Sequence, residues 1–203
     1  MDNLLNIGVL VSGSGTNLQC IIDACSRGEL PGRVACVISN KADAYALERA
    51  QNAGIPALHL DHRAYSGREG YDEALVAALR GFGVELVVMA GFMRIITPVL
   101  LDAFPMAVMN IHPALLPSFP GLHAARQALE YGAKVAGCTV HFVDSGTDTG
   151  PIILQATVPI LEGDTEETLS ARIQKEEHRI YPEAVRLFAQ GRLSVDGRLV
   201  RIR

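Results

Sequence analysis

Asn110 and His112 stand two residues apart at the end of an apolar run, Ala107-Val108-Met109-Asn110-Ile111-His112-Pro113. In an extended chain both side chains leave the same face of the strand. An amide beside an imidazole suits acyl transfer: the amide donates a hydrogen bond to a developing oxyanion while the imidazole carries or stabilises charge. Such a pair gains from a carboxylate that orients the ring and favours its protonated form. The segment Asp144-Ser145-Gly146-Thr147-Asp148-Thr149-Gly150 offers two, and spacing leaves Asp144 and Asp148 equal as candidates. His141 alternates with Thr139 and Val143, and either reaches the same cleft or pairs across a hairpin. Pro113, Pro117 and Pro120 stop both helix and ladder, so an ordered, largely extended loop is expected after His112.

A second feature binds rather than reacts. Ser12-Gly13-Ser14-Gly15-Thr16-Asn17 follows the first apolar run and precedes a helical pattern, a place where free N–H groups and the helix dipole favour an anion such as phosphate. It is not a dinucleotide fingerprint, because Leu18 takes the third glycine position and Ser39-Asn40 ends the second strand in place of an acid. Nor is it a P-loop, since Gly-Lys-Ser/Thr is missing. Glu177 and His178 on the last helix read as an ordinary charged face when taken alone. No serine or cysteine sits in a nucleophile elbow, and no His/Cys/Asp/Glu group has metal-ligand spacing.

These residues need a scaffold, and the hydrophobic pattern supplies one. Strands are expected at residues 6–11, 33–39, 56–60, 84–90 and 107–111, alternating with helices at about 18–25, 44–53, 68–79 and 97–103. A helix at 124–131 then leads to strands at 137–143 and 151–158, whose short connection makes them antiparallel. Asp164-Thr165-Glu166-Glu167 caps a long last helix with Leu169, Ile173, Ile180 and Val185 on its core face, bent at Pro182 unless it restarts there. Asp196-Gly197 marks a closing hairpin. The fold class expected is therefore α/β: a Rossmann-like open, mostly parallel sheet with helices on both faces and an antiparallel C-terminal strand pair. It forms one domain over residues 1–203, with a phosphate-binding half to about 104 and a catalytic half from about 105. An open sheet of this kind places its chemistry beyond the strands' carboxyl ends.

Composition agrees with one α/β domain: 203 residues, 49% hydrophobic, net charge −4. Basic residues are scattered, which argues against a nucleic-acid partner. Met1-Asp2-Asn3 has no basic leader and the first apolar segment is short, so no membrane span and a cytoplasmic protein are expected. Cys20, Cys25, Cys36 and Cys138 read as free thiols, mostly in apolar runs.

Taken together, several stretches resemble a known family. They are Ser12 to Leu18, Ser39-Asn40-Lys41-Ala42, Ala90-Gly91-Phe92-Met93-Arg94, Asn110-Ile111-His112-Pro113-Ala114-Leu115-Leu116-Pro117 and Asp148-Thr149-Gly150-Pro151-Ile152. In order and spacing they are similar to the folate-dependent phosphoribosylglycinamide formyltransferases of purine synthesis. The Asn-Ile-His-Pro element alone marks only the wider superfamily, whose tRNA formyltransferases and formyltetrahydrofolate hydrolases carry further domains.

The resemblance implies a catalytic trio of Asn110, His112 and Asp148, which favours Asp148 over Asp144. It implies a glycinamide ribonucleotide site at Gly15, Thr16, Asn17 and Glu177. It also implies a 10-formyltetrahydrofolate site at Arg68, Met93, Arg94, Ile95, Ile96, Asn110, His141 and Asp144, with no metal, in a monomer or homodimer. One departure is visible: Gly121-Leu122-His123-Ala124-Ala125 has alanine where some members carry a second histidine. The reaction implied is direct attack of the glycinamide amine on the formyl carbon.

Overall fold

The computed structural model describes residues 4–203; Met1-Asp2-Asn3, read above for its lack of basic residues, lies outside the described residues. Five parallel strands come first: β1 (Leu5–Val11), β2 (Gly32–Ser39), β3 (Ala57–His59), β4 (Leu86–Met89) and β5 (Val108–His112). Between them run α1 (Thr16–Ser26), α2 (Tyr45–Asn52), α3 (Gly67–Gly81) and α4 (Pro98–Ala103). The second half adds α5 (Ala124–Tyr131), β6 (Val135–Phe142), β7 (Ile152–Pro159), α6 (Glu166–Ala189), β8 (Leu193–Asp196) and β9 (Leu199–Ile202).

Among the described residues all nine strands join one sheet in the order β3-β2-β1-β4-β5-β6-β7-β9-β8. The expected mostly parallel sheet and antiparallel final pair are both present. β6 and β7 pair antiparallel as their short connection requires, and the antiparallel character begins one strand earlier than the pattern suggested, because β5 already pairs antiparallel with β6. β5 therefore has a parallel neighbour on one side and an antiparallel one on the other. It also continues one residue beyond the expected end, so His112 is a strand residue paired with Thr139.

Two apolar layers sandwich the sheet. One packs Leu18, Ile21, Ala46 and Ala50 from α1 and α2, with Leu169, Ile173, Ile180 and Val185 from α6, against Ile7, Val9, Val88, Met109 and Val140. The other packs Tyr71, Leu75, Leu79 and Leu100 of α3 and α4 against Leu10, Ile38, Val87 and Val108. Alternation along β5 and β6 then decides which side chains face the reaction. Met109, Ile111, Cys138 and Val140 belong to the first layer, so Asn110, His112, Thr139 and His141 lie on the opposite face.

Pro182 does not break α6, which runs continuously from Glu166 to Ala189. The proline removes one backbone donor, but the helix is held along its length by the buried stripe from Leu169 to Val185. It is capped as expected at Thr165, which accepts from the Thr168 N–H while Thr168 Oγ1 accepts from the Thr165 N–H.

Fully buried Tyr181 of α6 places its hydroxyl 3.0 Å from the carbonyl oxygens of both Met89, at the end of β4, and Met109, within β5. Tyr181→Phe should cost about 1–2 kcal/mol of stability, because buried carbonyls lose a shared donor. The check is a lower urea midpoint at an unchanged slope.

Candidate active site

The carboxyl ends of β1, β4 and β5 are adjacent, and each hands over to a loop that carries candidate residues. After β1, Gly15 takes a left-handed conformation (φ 71°) at the N-cap of α1 and supplies no side-chain cap. The first N–H groups of α1 thus remain free to meet an anion. Only glycine fits there: a Cβ would stand 2.6 Å from the Ala46 Cβ. Ser12 ties this loop to its neighbours. Its Oγ donates to Asn40 Oδ1 at 2.6 Å and accepts from the Met93 N–H at 2.8 Å.

Across from the start of α1, α6 presents Glu177, whose Oε2 accepts from Asn17 Nδ2 at 2.9 Å. Burial raises the Glu177 carboxyl pKa, opposed by the Asn17 hydrogen bond and by His112 nearby. Asn17 Oδ1 is buried without a partner. Thr16 Oγ1 accepts from Gln174 Nε2 on the same helix at 3.2 Å. The four residues expected around the ribonucleotide are therefore gathered at one place.

At the centre, the loop after His112 departs from the extended path expected of its prolines. It folds back on itself through a turn in which the Ser118 N–H meets the Leu115 carbonyl, and Phe119 adopts a positive φ of 53°. The fold-back carries the Phe119 carbonyl to 2.9 Å from His112 Nε2. A carbonyl only accepts, so Nε2 must carry a hydrogen. The other ring nitrogen, Nδ1, lies 3.4 Å from Asp148 Oδ2. An imidazolium satisfies both partners, whereas a neutral ring with its hydrogen on Nε2 satisfies only the carbonyl.

Asp148 also accepts from the Gly121 N–H at 2.9 Å, so one carboxylate faces the imidazole and pins the loop behind it. Asp144 plays a different part: its Oδ1 accepts from the Gly146 N–H and from Thr149 Oγ1, closing its own turn. Spacing had left these two aspartates equal; the coordinates bring Asp148, not Asp144, to His112.

Asn110 faces His141 in the β5–β6 register, and its Nδ2 lies 3.3 Å from His141 Nε2. His141 Nδ1 is 2.8 Å from the Phe142 carbonyl and so bears the hydrogen, leaving Nε2 to accept from Asn110. His141 thus pairs across the strands, and its buried ring lies 3.8 Å from Asp148 Oδ1 as well as beside Asn110. Burial is the main cause of its lowered pKa, outweighing the Phe142 hydrogen bond and the nearby Asp148. Below the ordinary histidine value of 6.5 the unfolded chain takes up a proton that the folded ring resists, so this residue makes stability fall as pH is lowered through that region. His141→Gln should flatten the loss of urea midpoint between about pH 7 and pH 5, and an unchanged slope would remove His141 from that dependence.

The loop after β4 carries the remaining candidates. Met93 and Ile95 are exposed by 62% and 59%, an unusual pair of free apolar side chains beside a cleft. Arg68 and Arg94 lie near buried Asp72. Burial raises that carboxyl's pKa, and bonds from Thr97 and the two guanidiniums oppose the rise. Thr97 begins α4 as expected, but its hydroxyl donates to Asp72 rather than capping the helix. Ile96, unlike Met93 and Ile95, is buried in the layer with Phe92 and Leu100. The four cysteines are free, and burial pushes the Cys36 and Cys138 thiols up to about 12.

A doubly covered sheet whose central strand end presents an amide, an imidazole and a facing carboxylate beside an open helix start is an acyl-transfer arrangement. A family model described as formyl transferase matches residues 5–185, and the chain belongs to that family. The phosphoribosylglycinamide formyltransferase of Escherichia coli (strain K12) is 49% identical over 94% of this chain and 90% of that protein. The structure of glycinamide ribonucleotide transformylase 1 from Symbiobacterium toebii superimposes with a TM-score of 0.97 at 63% identity, covering 98% of this chain and 94% of that one. The trifunctional purine biosynthetic protein adenosine-3 of Homo sapiens is 45% identical over 91% of this chain, which spans 18% of that protein.

Sequence reasoning missed the bonds that Ser12 makes to Asn40 and Met93, the pairing of Thr139 with His112, the Tyr181 hydroxyl and the Phe119 carbonyl. The last has no side-chain signature at all. Thr139 carried a weak one, its alternation with His141 along β6.

Proposed function

We propose that the protein transfers the formyl group of 10-formyltetrahydrofolate to the amine of glycinamide ribonucleotide. In this reaction the amine nitrogen forms a bond to the formyl carbon, the bond from that carbon to the folate nitrogen breaks, and the amine's proton ends on the departing nitrogen. The observation that carries the reading is the meeting of Asn110, His112 and Asp148, drawn from two segments, over one face of β5.

Each residue has a definite task in this scheme. Asn110 donates its amide hydrogen to the oxyanion of the tetrahedral intermediate, and His112 stabilises the same charge. Asp148 holds the imidazole's orientation and relays the proton from amine to leaving nitrogen, directly or through water. Gly15, Thr16 and Asn17 offer the N–H groups at the start of α1 to the ribonucleotide phosphate, and Glu177 contacts the same substrate. Met93 and Ile95 cover the apolar body of the folate, with the Ile96 backbone, Asn110, His141 and the turn around Asp144 completing that wall. Arg68 and Arg94 meet its carboxylates. No metal takes part in this scheme, and the enzyme works in the cytoplasm as a monomer or homodimer.

The test is folate-dependent formylation of glycinamide ribonucleotide, run beside a control with water as the only acceptor. Formyl transfer that requires the ribonucleotide is the expected result. Release of formate at the same rate without it would make the protein a hydrolase.

A further inference from the structure

The β5–β6–β7 registers place His112, Thr139 and Gln155 in a single row: His112 pairs with Thr139, and Thr139 with Gln155. Directly paired residues share a face, so three polar side chains stand side by side on the face that carries the reaction. Thr139 is fully buried, and a buried hydroxyl requires partners. It finds them in the loop. Thr139 Oγ1 donates to the Ala114 carbonyl at 2.7 Å and accepts from the Leu116 N–H at 3.0 Å. Gln155 Nε2 donates to the Leu116 carbonyl and to Thr139 Oγ1, both at 3.0 Å.

Three backbone groups at Ala114 and Leu116 are thus held by two side chains of the sheet. The chain turns immediately afterwards, between Leu115 and Ser118, and delivers the Phe119 carbonyl to His112 Nε2. Gly137 serves the same contact: a Cβ there would stand 2.7 Å from Leu115 Cδ2 and 2.0 Å from the Ala156 carbonyl oxygen.

We infer that Thr139 and Gln155 are positioning residues for formyl transfer. They anchor the first turn of the loop and thereby fix the carbonyl that sets the hydrogen on His112 Nε2 and leaves Nδ1 for Asp148. Neither side chain touches the reacting atoms in this scheme; both act through His112. The inference rests on the role proposed for His112, and its test separates the two.

The hydroxyl is isolated by comparing Thr139→Val, which keeps the shape and removes the bonds, with Thr139→Ser, which keeps the bonds. Gln155→Leu removes only the outer half of the clamp, on a more exposed position, and serves if Thr139→Val does not fold. Two quantities are read: steady-state kinetics, and the solvent exchange rate of the His112 Nε2 proton by NMR. Thr139→Val is expected to lose on the order of tenfold in kcat, as misplaced catalytic groups do, with KM for both substrates close to native. Its Nε2 proton should exchange faster, Gln155→Leu should show the same changes in smaller degree, and Thr139→Ser should restore both quantities.

Native kcat and native exchange in Thr139→Val, or in Gln155→Leu where the former does not fold, would overturn the inference. So would an equal loss in Thr139→Ser, because the missing methyl rather than the hydroxyl would then be responsible. The exchange measurement needs no turnover. If the native protein formylates no ribonucleotide, the proposed function fails while the clamp is still decided.

Discussion

Asn110→Ala should lower kcat by on the order of a hundredfold or more, about 3 kcal/mol, the usual cost of one lost oxyanion donor. KM for both substrates should change little. The amide's Nδ2 is held toward the cleft by its bond to His141, so its donor is preorganised and its loss falls on the transition state rather than on binding. Truncation also frees the buried His141 Nε2, which lies 3.8 Å from Asp148 Oδ1. A variant turning over at the native rate would remove Asn110 from the chemistry and leave His112 to meet the oxyanion alone.

Asp148→Asn is the second large effect, a loss of about a hundredfold to ten-thousandfold in kcat if the carboxylate handles the proton. The substitution separates charge from structure. Asp148 sits at φ 54°, and asparagine accepts that left-handed conformation as readily as aspartate. The amide oxygen can still accept from the Gly121 N–H, so the loop stays pinned and the urea midpoint should barely move. What is lost is an anion facing His112 Nδ1. A large fall in stability together with kcat would assign Asp148 to scaffolding, and near-native kcat would exclude it from proton transfer.

The readable part of this structure lay in side-chain periodicity. Alternation placed Asn110 and His112 on one face because β5 is extended and commits Met109 and Ile111 to a packed layer on the other. The glycine loop was readable for a similar reason: few conformations join a buried strand to a helix in so few residues, and Gly15 takes one that disfavours side chains. The α6 cap was written directly in Thr165 and its neighbours.

Other features depended on partners remote in the chain. Proline chemistry forbids helix and ladder but does not say where a loop turns, and the fold-back after His112 is held by Thr139 and Gln155, residues that sequence alone cannot attach to it. Asp148 could be separated from Asp144 only by resemblance or by coordinates, because both sit in a short glycine-rich turn. Nothing local to Tyr181 reveals that its hydroxyl meets carbonyls of two neighbouring strands.

The place of α6 in the packed layer has a further consequence for synthesis on the ribosome. Helices α1 and α2 can cover β1 soon after it is made, yet the same layer over β6 and β7 stays incomplete until Leu169, Ile173, Ile180, Tyr181 and Val185 have left the exit tunnel. The nascent chain must therefore carry part of this apolar surface uncovered until α6 emerges, and the layer closes only once that helix has been made.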